Sequence, residues 1–247
     1  HLPAGHLDAL QSMLSLAQIC EILEQDQDAE KLYGELVTTL KQKESPSASF
    51  LGSALKNLAD VQRRSDKHAD AEKSYAEARK VAEGAASFKG KEAYLAHIDA
   101  GLGMVFAATK RHDQAVELLK KALAVFEADP KQHASNMVLC QIQLAKIHRD
   151  KRKLADARKA ADAGVAIARQ HLGEGTYAFA RALAEVAQIR QAQGARPEAA
   201  KLLLGALTVV HKLYGAAHPR TERLREQVEK LYKALRWQKR LETDLPK

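Results

Sequence analysis

The chain has 247 residues, of which 46% are apolar and only 5% aromatic, and its formal net charge is +8. Alanine and leucine do most of the filling, which suits closely packed helices better than sheets. No apolar run approaches the ~18 residues that a membrane-spanning helix needs. The charge is uneven: residues 1–44 sum to −5, residues 45–132 to +2 and residues 133–247 to +11, a polarity that would orient an acidic partner along the chain.

Cys20 and Cys140 stand far apart, with no second Cys or His at ligand spacing from either. They read as small buried thiols in a reducing compartment, with no metal and no cofactor expected. The chain opens at His1 without an initiator Met, and His1 to Gly5 has neither a charged leader nor an apolar stretch. A fragment or processed chain is expected, intracellular and cytoplasmic, with an organelle matrix left open.

The organising stretch is Asn57 to Ala78. Leu58, Ala59 and Val61 precede a polar turn, Ser65 to His68, and Ala71, Tyr75 and Ala78 follow it, all at helical spacing. That predicts a helical hairpin. A 42-residue step back from Ala59, Ala71 and Tyr75 reaches Ala17, Ala29 and Tyr33, and a 44-residue step forward reaches Gly103, Ala115 and Leu119. Further 42-residue steps reach Ala145, Ala157 and Ala161, then Ala187, Ala199 and Leu203. A repeat of this length predicts one continuous array rather than two separate domains.

In chain order, residues 1–6 read as a disordered segment. Five hairpins follow, at about 7–45, 47–88, 91–130, 131–173 and 174–215, then a capping helix over 218–242 and a tail over 243–247. The first has Leu10, Leu14, Ala17 and Ile22 on one stripe and ends at Ser45-Pro46-Ser47, where proline stops one helix and serine caps the next. Between the second and third, the spacing slips by two residues in Ala85 to Gly90, which predicts a longer loop. Gly101 and Gly103 each cost about 1 kcal/mol inside a helix, so close approach is expected; the neighbouring helix is the candidate at Gly103, while Gly101 has no assigned neighbour. The fourth hairpin turns at Asp150-Lys151-Arg152-Lys153. In the fifth, Gly194 closes one helix and Pro197 opens the next. The last helix carries Leu224, Val228, Leu231, Leu235 and Leu241, with Arg225, Glu229, Arg236, Lys239 and Arg240 as its polar outer face. Trp237 is expected to pack against the fifth hairpin, with an exposed anchor for a partner as the alternative.

These residues resemble the tetratricopeptide repeat. Leu58-Ala59, Ala71, Tyr75 and Ala78 match its pattern, as do Leu102-Gly103, Phe106, Ala115 and Ala122. The long period is similar to that of kinesin light chains, and Leu213-Tyr214-Gly215-Ala216-Ala217-His218-Pro219-Arg220-Thr221 is similar to the loop and helix start of that subfamily; His171 to Thr176 is a weaker copy. The resemblance implies an all-α tetratricopeptide solenoid whose first helices line a groove for an extended peptide or a partner helix. In kinesin light chains an Asn two residues before the small residue contacts the peptide backbone. Asn57 fills that place, whereas the other repeats hold Ser15, Gly101, Gln143, Glu185 and Gln227.

Helical spacing adds the other groove-facing positions, so that the candidate surface comprises Gln18, Lys56, Asn57, Asp60, Arg63, Arg64, His97, Met104, Gln143, Lys146, Arg149, Arg181, Gln188, Arg223 and Lys230. Basic residues dominate from the second repeat onward, which favours acidic segments. Lys56, Asp60 and Arg63 do not reproduce the Lys/Arg/Asn set with which some tetratricopeptide domains clamp a chaperone's C-terminal carboxylate. No Gly-rich phosphate loop, nucleophile elbow or placed carboxylate pair points to catalysis. The expected function is a non-enzymatic adaptor or scaffold that binds an acidic or amphipathic protein segment, with no membrane insertion and an open oligomeric state. RNA binding is the alternative suggested by a pI near 9.4, although stacking aromatics do not interleave the basic residues; a structural subunit of a larger assembly is another.

Overall fold

The computed structural model describes residues 7–43, 47–237, 240 and 243–246. The segment 1–6, the Ser45-Pro46 break, Lys239 and Leu241 lie outside the described residues. Among those described, eleven α-helices follow one another: α1 Leu7–Ile22, α2 Asp26–Lys41, α3 Ala48–Arg64, α4 His68–Gly84, α5 Lys91–Ala108, α6 His112–Phe126, α7 Pro130–Asp150, α8 Leu154–His171, α9 Tyr177–Ala192, α10 Arg196–Tyr214 and α11 Pro219–Ala234. Odd and even helices pair as hairpins, and α11 stands as a further first helix. None is long and apolar enough to cross a membrane.

The repeat arithmetic is visible in the core. Ala17, Ala59, Gly103, Ala145 and Ala187 are buried on the first helices, and Ala29, Ala71, Ala115, Ala157 and Ala199 on the second. Small side chains at both places let the two backbones of a hairpin approach, and the larger residue four positions on (Tyr33, Tyr75, Leu119 or Leu203) fills the space beyond. A Cβ on Gly103 would lie 2.8 Å from Leu119 Cγ, so the expected close neighbour is the partner helix α6.

Every first helix ends in the same way. Glu24, Asp66, Lys110, Arg152, Gly194 and Arg236 adopt the left-handed conformation, with φ between 58° and 84°. The amide that follows each donates five residues back, as in Gln25 to Cys20 (2.8 Å), Lys67 to Gln62 (2.9 Å), Arg111 to Phe106 (2.8 Å) and Trp237 to Tyr232 (2.9 Å). This is a Schellman cap, in which two otherwise orphaned carbonyls find donors. Its usual side-chain contact is present too: Arg111 lies over the Phe106 ring at 3.9 Å, and Trp237 meets Tyr232 edge-on at 5.5 Å. Trp237 thus packs on α11 and on the cluster that includes Ala199 and Leu203 of the fifth hairpin.

Two compact units form, residues 1–125 and 126–247. In the first, ionic links tie successive hairpins: Arg64 reaches Glu21 (2.8 Å) and Asp26 (2.9 Å), Lys67 reaches Glu30 (2.8 Å) and Arg111 reaches Glu72 (2.6 Å). Asp99, only 2% exposed, accepts from Arg79 of α4 and pairs with Lys121 of α6 at 3.2 Å. The irregular segment 85–90 is anchored by Phe88, whose ring lies 4.6 Å from that of Tyr94 and against Gly52. In the second unit α7 packs against α8 and α9, and α10 against α9 and α11. One expectation fails at the start of the chain. Ile22, placed on the buried stripe of α1, is 70% exposed, because the stripe through Leu10 and Ala17 has rotated away from it by the last turn.

Candidate interaction surface

On the first unit the predicted residues of α3 sit in a polar network. Asp60 accepts from Lys56 (2.9 Å) and from the Tyr75 hydroxyl (2.5 Å), and Arg63 stands 3.7 Å away. Burial alone would raise the Asp60 carboxyl, but Lys56, Arg63 and the hydroxyl outweigh it and hold the group down to about 2. Arg64 turns back to α1 and α2, and Asn57 shares the Tyr33 hydroxyl with Glu21, to which that hydroxyl donates at 2.5 Å. On α5, Met104 is 7% exposed and belongs to the core; His97 is half-buried. The α3 cations are therefore largely engaged by the fold's own acids, Lys56 and Arg63 with Asp60 and Arg64 with the first hairpin.

In the second unit α7, α9 and α11 stand in sequence. Glu185 of α9, 4% exposed, occupies the position that Asn57 holds in its own repeat and accepts from Arg149 of α7. Burial pushes its carboxyl above the ordinary range, and Arg149 and Lys146 pull it back only in part. Burial likewise lowers Lys146. Further along, Gln188 donates to Gln227 of α11 at 3.0 Å. Gln143 is half-buried on α7, while Arg223 and Lys230 are exposed on α11.

Beside that amide pair lies a cavity of about 150 Å3, lined by Tyr177, Ala180, Arg181, Ala184, Arg220, Arg223, Leu224 and Gln227. Its floor is apolar, from Ala180, Ala184 and Leu224, and three guanidinium groups stand at its rim. Two of them approach the Tyr177 ring, Arg220 at 4.5 Å and Arg181 at 5.8 Å from its centre. Arg220 also donates to the Tyr214 hydroxyl at 2.9 Å, and the Tyr214 ring stacks on His218 at 4.6 Å. The loop before α11 is built to hold this arrangement. Buried Thr221 donates to the Gly215 carbonyl (2.7 Å), and His218 Nδ1 accepts from the Arg220 amide (3.1 Å) as the helix cap.

Sequence reasoning placed Arg181 and Arg223 on this surface and missed Tyr177, Arg220 and Leu224. Arg220 and Tyr214 were in view only as parts of the repeat-start motif; the signal was an Arg next to the capping His-Pro, where a helix start projects side chains towards the preceding first helix. A larger hollow in the first unit, about 890 Å3, runs along α2 past Glu30, Gly34, Thr38 and Lys67. It is an open trough on a second helix, edged on the α3 side by Leu58 and Gln62, and none of the predicted residues lines it.

No protein-family profile matches the chain. A curated relative, RxLR effector protein SFI4 of Phytophthora infestans, is 28% identical over 199 residues, covering 78% of this chain; the chain spans about half (53%) of that relative's length. Solved structures resemble the chain more completely. BtubC (BKLC) from P. vanneervenii superposes with a TM-score of 0.64 at 19% identity, over 84% of this chain and 82% of its own. A putative kinesin light chain of Podosopora anserina with nearly identical TPR-like repeats gives 0.59 at 21% identity, over 85% and 98%. A Rap protein complexed with Competence and Sporulation Factor gives 0.62 at 14% identity, over 96% and 74%. With the hairpin pairing, the buried small residues and the recurring helix caps, these likenesses identify the fold as the all-α array of tetratricopeptide-like repeats.

Proposed function

We propose that the chain is a non-enzymatic protein-interaction scaffold, and that it takes an acidic protein segment with an apolar anchor on the α9–α11 face. The observation that carries this reading is the cavity beside Gln227. Its apolar floor suits one medium-sized side chain, and Arg181, Arg220 and Arg223 at its rim suit carboxylates on either side of that anchor. The +11 balance of residues 133–247 adds long-range attraction for the same partner. Among the structural neighbours, the Rap protein is described in complex with a factor, which supports a ligand-binding use of this fold.

Peptide selection against the immobilised chain, from a short random library, tests the reading. Enriched sequences should hold an apolar or aromatic residue flanked by Asp or Glu, and Arg181→Glu with Arg223→Glu should abolish their capture while leaving the helical melt unchanged. Enrichment without acidic residues, or capture unaltered in the double variant, would overturn the assignment. The same preparation titrated with single-stranded RNA at several salt concentrations checks the alternative, because phosphate neutralisation gives a steep slope of log K against log salt.

A further inference from the structure

By the repeat, Lys146 of α7 corresponds to Asp60 of α3, Arg149 to Arg63, and Ala161 of α8 to Tyr75 of α4. In the second hairpin the Asp60 carboxylate gathers Lys56, Arg63 and the Tyr75 hydroxyl. In the fourth, a cation stands at the place of that acid, and alanine on the second helix offers it no hydroxyl. Arg149 keeps the place of Arg63 but donates to Glu185 of α9.

Lys146 is half-buried, and it makes no hydrogen bond to a described residue; lost hydration and the charges around it are what act on it. Glu185 of α9 and Asp150 of α7 favour its charge, while Arg181 of α9 and Arg149 of α7 oppose it. Burial, the largest influence, together with the two guanidinium groups outweighs the acids and holds the ammonium below its ordinary proton affinity. An ammonium that has given up water without gaining a hydrogen-bonded acid is costly to the fold. A carboxylate brought to it would supply the missing acceptor as a charge-assisted bond. Arg181 also lines the cavity on α9 and α11, so one guanidinium is common to both places.

We propose that Lys146 and Arg181 form an acid-binding subsite between α7 and α9, which takes a carboxylate of the same partner segment whose apolar anchor enters the α9–α11 cavity. This rests on the reading of that cavity given above and adds a register to it. Helices α7 and α9 pack together, and packed helices stand about 8–10 Å apart. An extended chain covers about 3.3 Å per residue, so the acid that reaches Lys146 lies about three residues from the anchor. An acid directly beside the anchor meets the rim arginines and stops short of α7.

Three fluorescein-labelled peptides are the probes. Each has a leucine followed directly by a glutamate in a serine and glycine background; the second adds a glutamate three residues before the leucine, and the third adds it three residues after. Titrated into the intact chain, one of the two longer-reaching peptides should bind about tenfold more tightly than the first. In Lys146→Met, which keeps the length of the side chain and removes its charge, the three should bind alike, and Lys146→Arg should restore part of the difference. Removing a half-buried charge should leave the helical melt intact. A distal glutamate that helps as much in Lys146→Met as in the parent would overturn the subsite, because long-range attraction alone would explain it. Equal binding of all three peptides to the parent, abolished by Arg181→Glu with Arg223→Glu, would also overturn the subsite while leaving the cavity in place. Binding of none of the three would overturn the cavity reading and the subsite with it.

Discussion

Gly101 of α5 lies against the ring of Tyr75 of α4. A Cβ at Gly101 would fall 2.3 Å from the ring's Cζ and from its hydroxyl oxygen, and that hydroxyl is tied to Asp60 at 2.5 Å. The glycine is the mark left in one hairpin by the tyrosine of the hairpin before it. Gly101→Ala removes about 1 kcal/mol of helix penalty but overpacks the junction by about 1–3 kcal/mol, so urea denaturation should show a net loss of up to about 2 kcal/mol. Pairing it with Tyr75→Leu, which vacates the contested space, should recover part of that loss relative to the sum of the two single variants.

The recurring left-handed cap gives a second comparison within one molecule. Arg152 and Gly194 occupy the same place in successive hairpins, with φ of 60° and 84°. A side chain at such a position costs about 1–2 kcal/mol, partly offset by the lower backbone entropy that a non-glycine residue has in the unfolded chain. Arg152→Gly should therefore stabilise by about 0.5–1 kcal/mol, and Gly194→Arg should destabilise by a similar amount. Opposite shifts of the urea midpoint at unchanged slope are the expected readout.

The core was legible in the sequence because it recurs: a small residue needed at two places in every hairpin leaves a period that can be counted. Gly103 could be matched to its own partner helix for that reason. Gly101 could not, since its neighbour is a single side chain of the preceding hairpin and no spacing within α5 points to it. The interaction surface was less legible. Spacing puts Lys56, Asp60, Arg63 and Arg64 on one face of α3 and so sets Asp60 beside Lys56 and Arg63, yet it carries no sign of Glu21 and Asp26, which come from the first hairpin to meet Arg64. Tyr177 and Arg220 escaped because they belong to helix starts, where a cap and a proline set the direction of the side chain instead of the helical period. Ile22 shares the apolar character of Leu10 and Ala17 but stands about 140° round the helix from Ala17, so it leaves the stripe with which it was grouped.

Asp60 links its network to pH. Its carboxyl sits at about 2, below the ordinary value of 3.8, so the stabilisation is fully present above pH ~4 and is lost as the pH falls from there towards 2. The side chain is 26% exposed, and screening trims the contribution to about 1–2 kcal/mol. Asp60→Asn should lower stability by that amount at pH 7. The gap between parent and variant should close as the pH is brought from 4 to about 2. A gap that is constant over this range would mean that Asp60 acts by shape alone.

Arg149 and Glu185 should show the opposite sign. Removing the guanidinium with Arg149→Met leaves a carboxylate 4% exposed with Lys146 as its remaining neighbouring cation, and breaking a buried pair in this way costs about 3–5 kcal/mol. Lys146 stays close, so the expected loss at pH 7 is about 2–3 kcal/mol. Burial already raises the Glu185 carboxyl above its ordinary 4.5, and loss of Arg149 raises it further. A carboxyl raised in the folded state destabilises progressively as the pH rises from its unfolded value to its folded one. The deficit of Arg149→Met should therefore be smallest below about pH 4.5 and grow towards neutrality. Adding Glu185→Gln removes the buried charge, and the double variant should regain most of the loss at pH 7 and show a flat pH profile. A single variant as deficient at pH 4 as at pH 7 would assign the role of Arg149 to packing of its aliphatic stem.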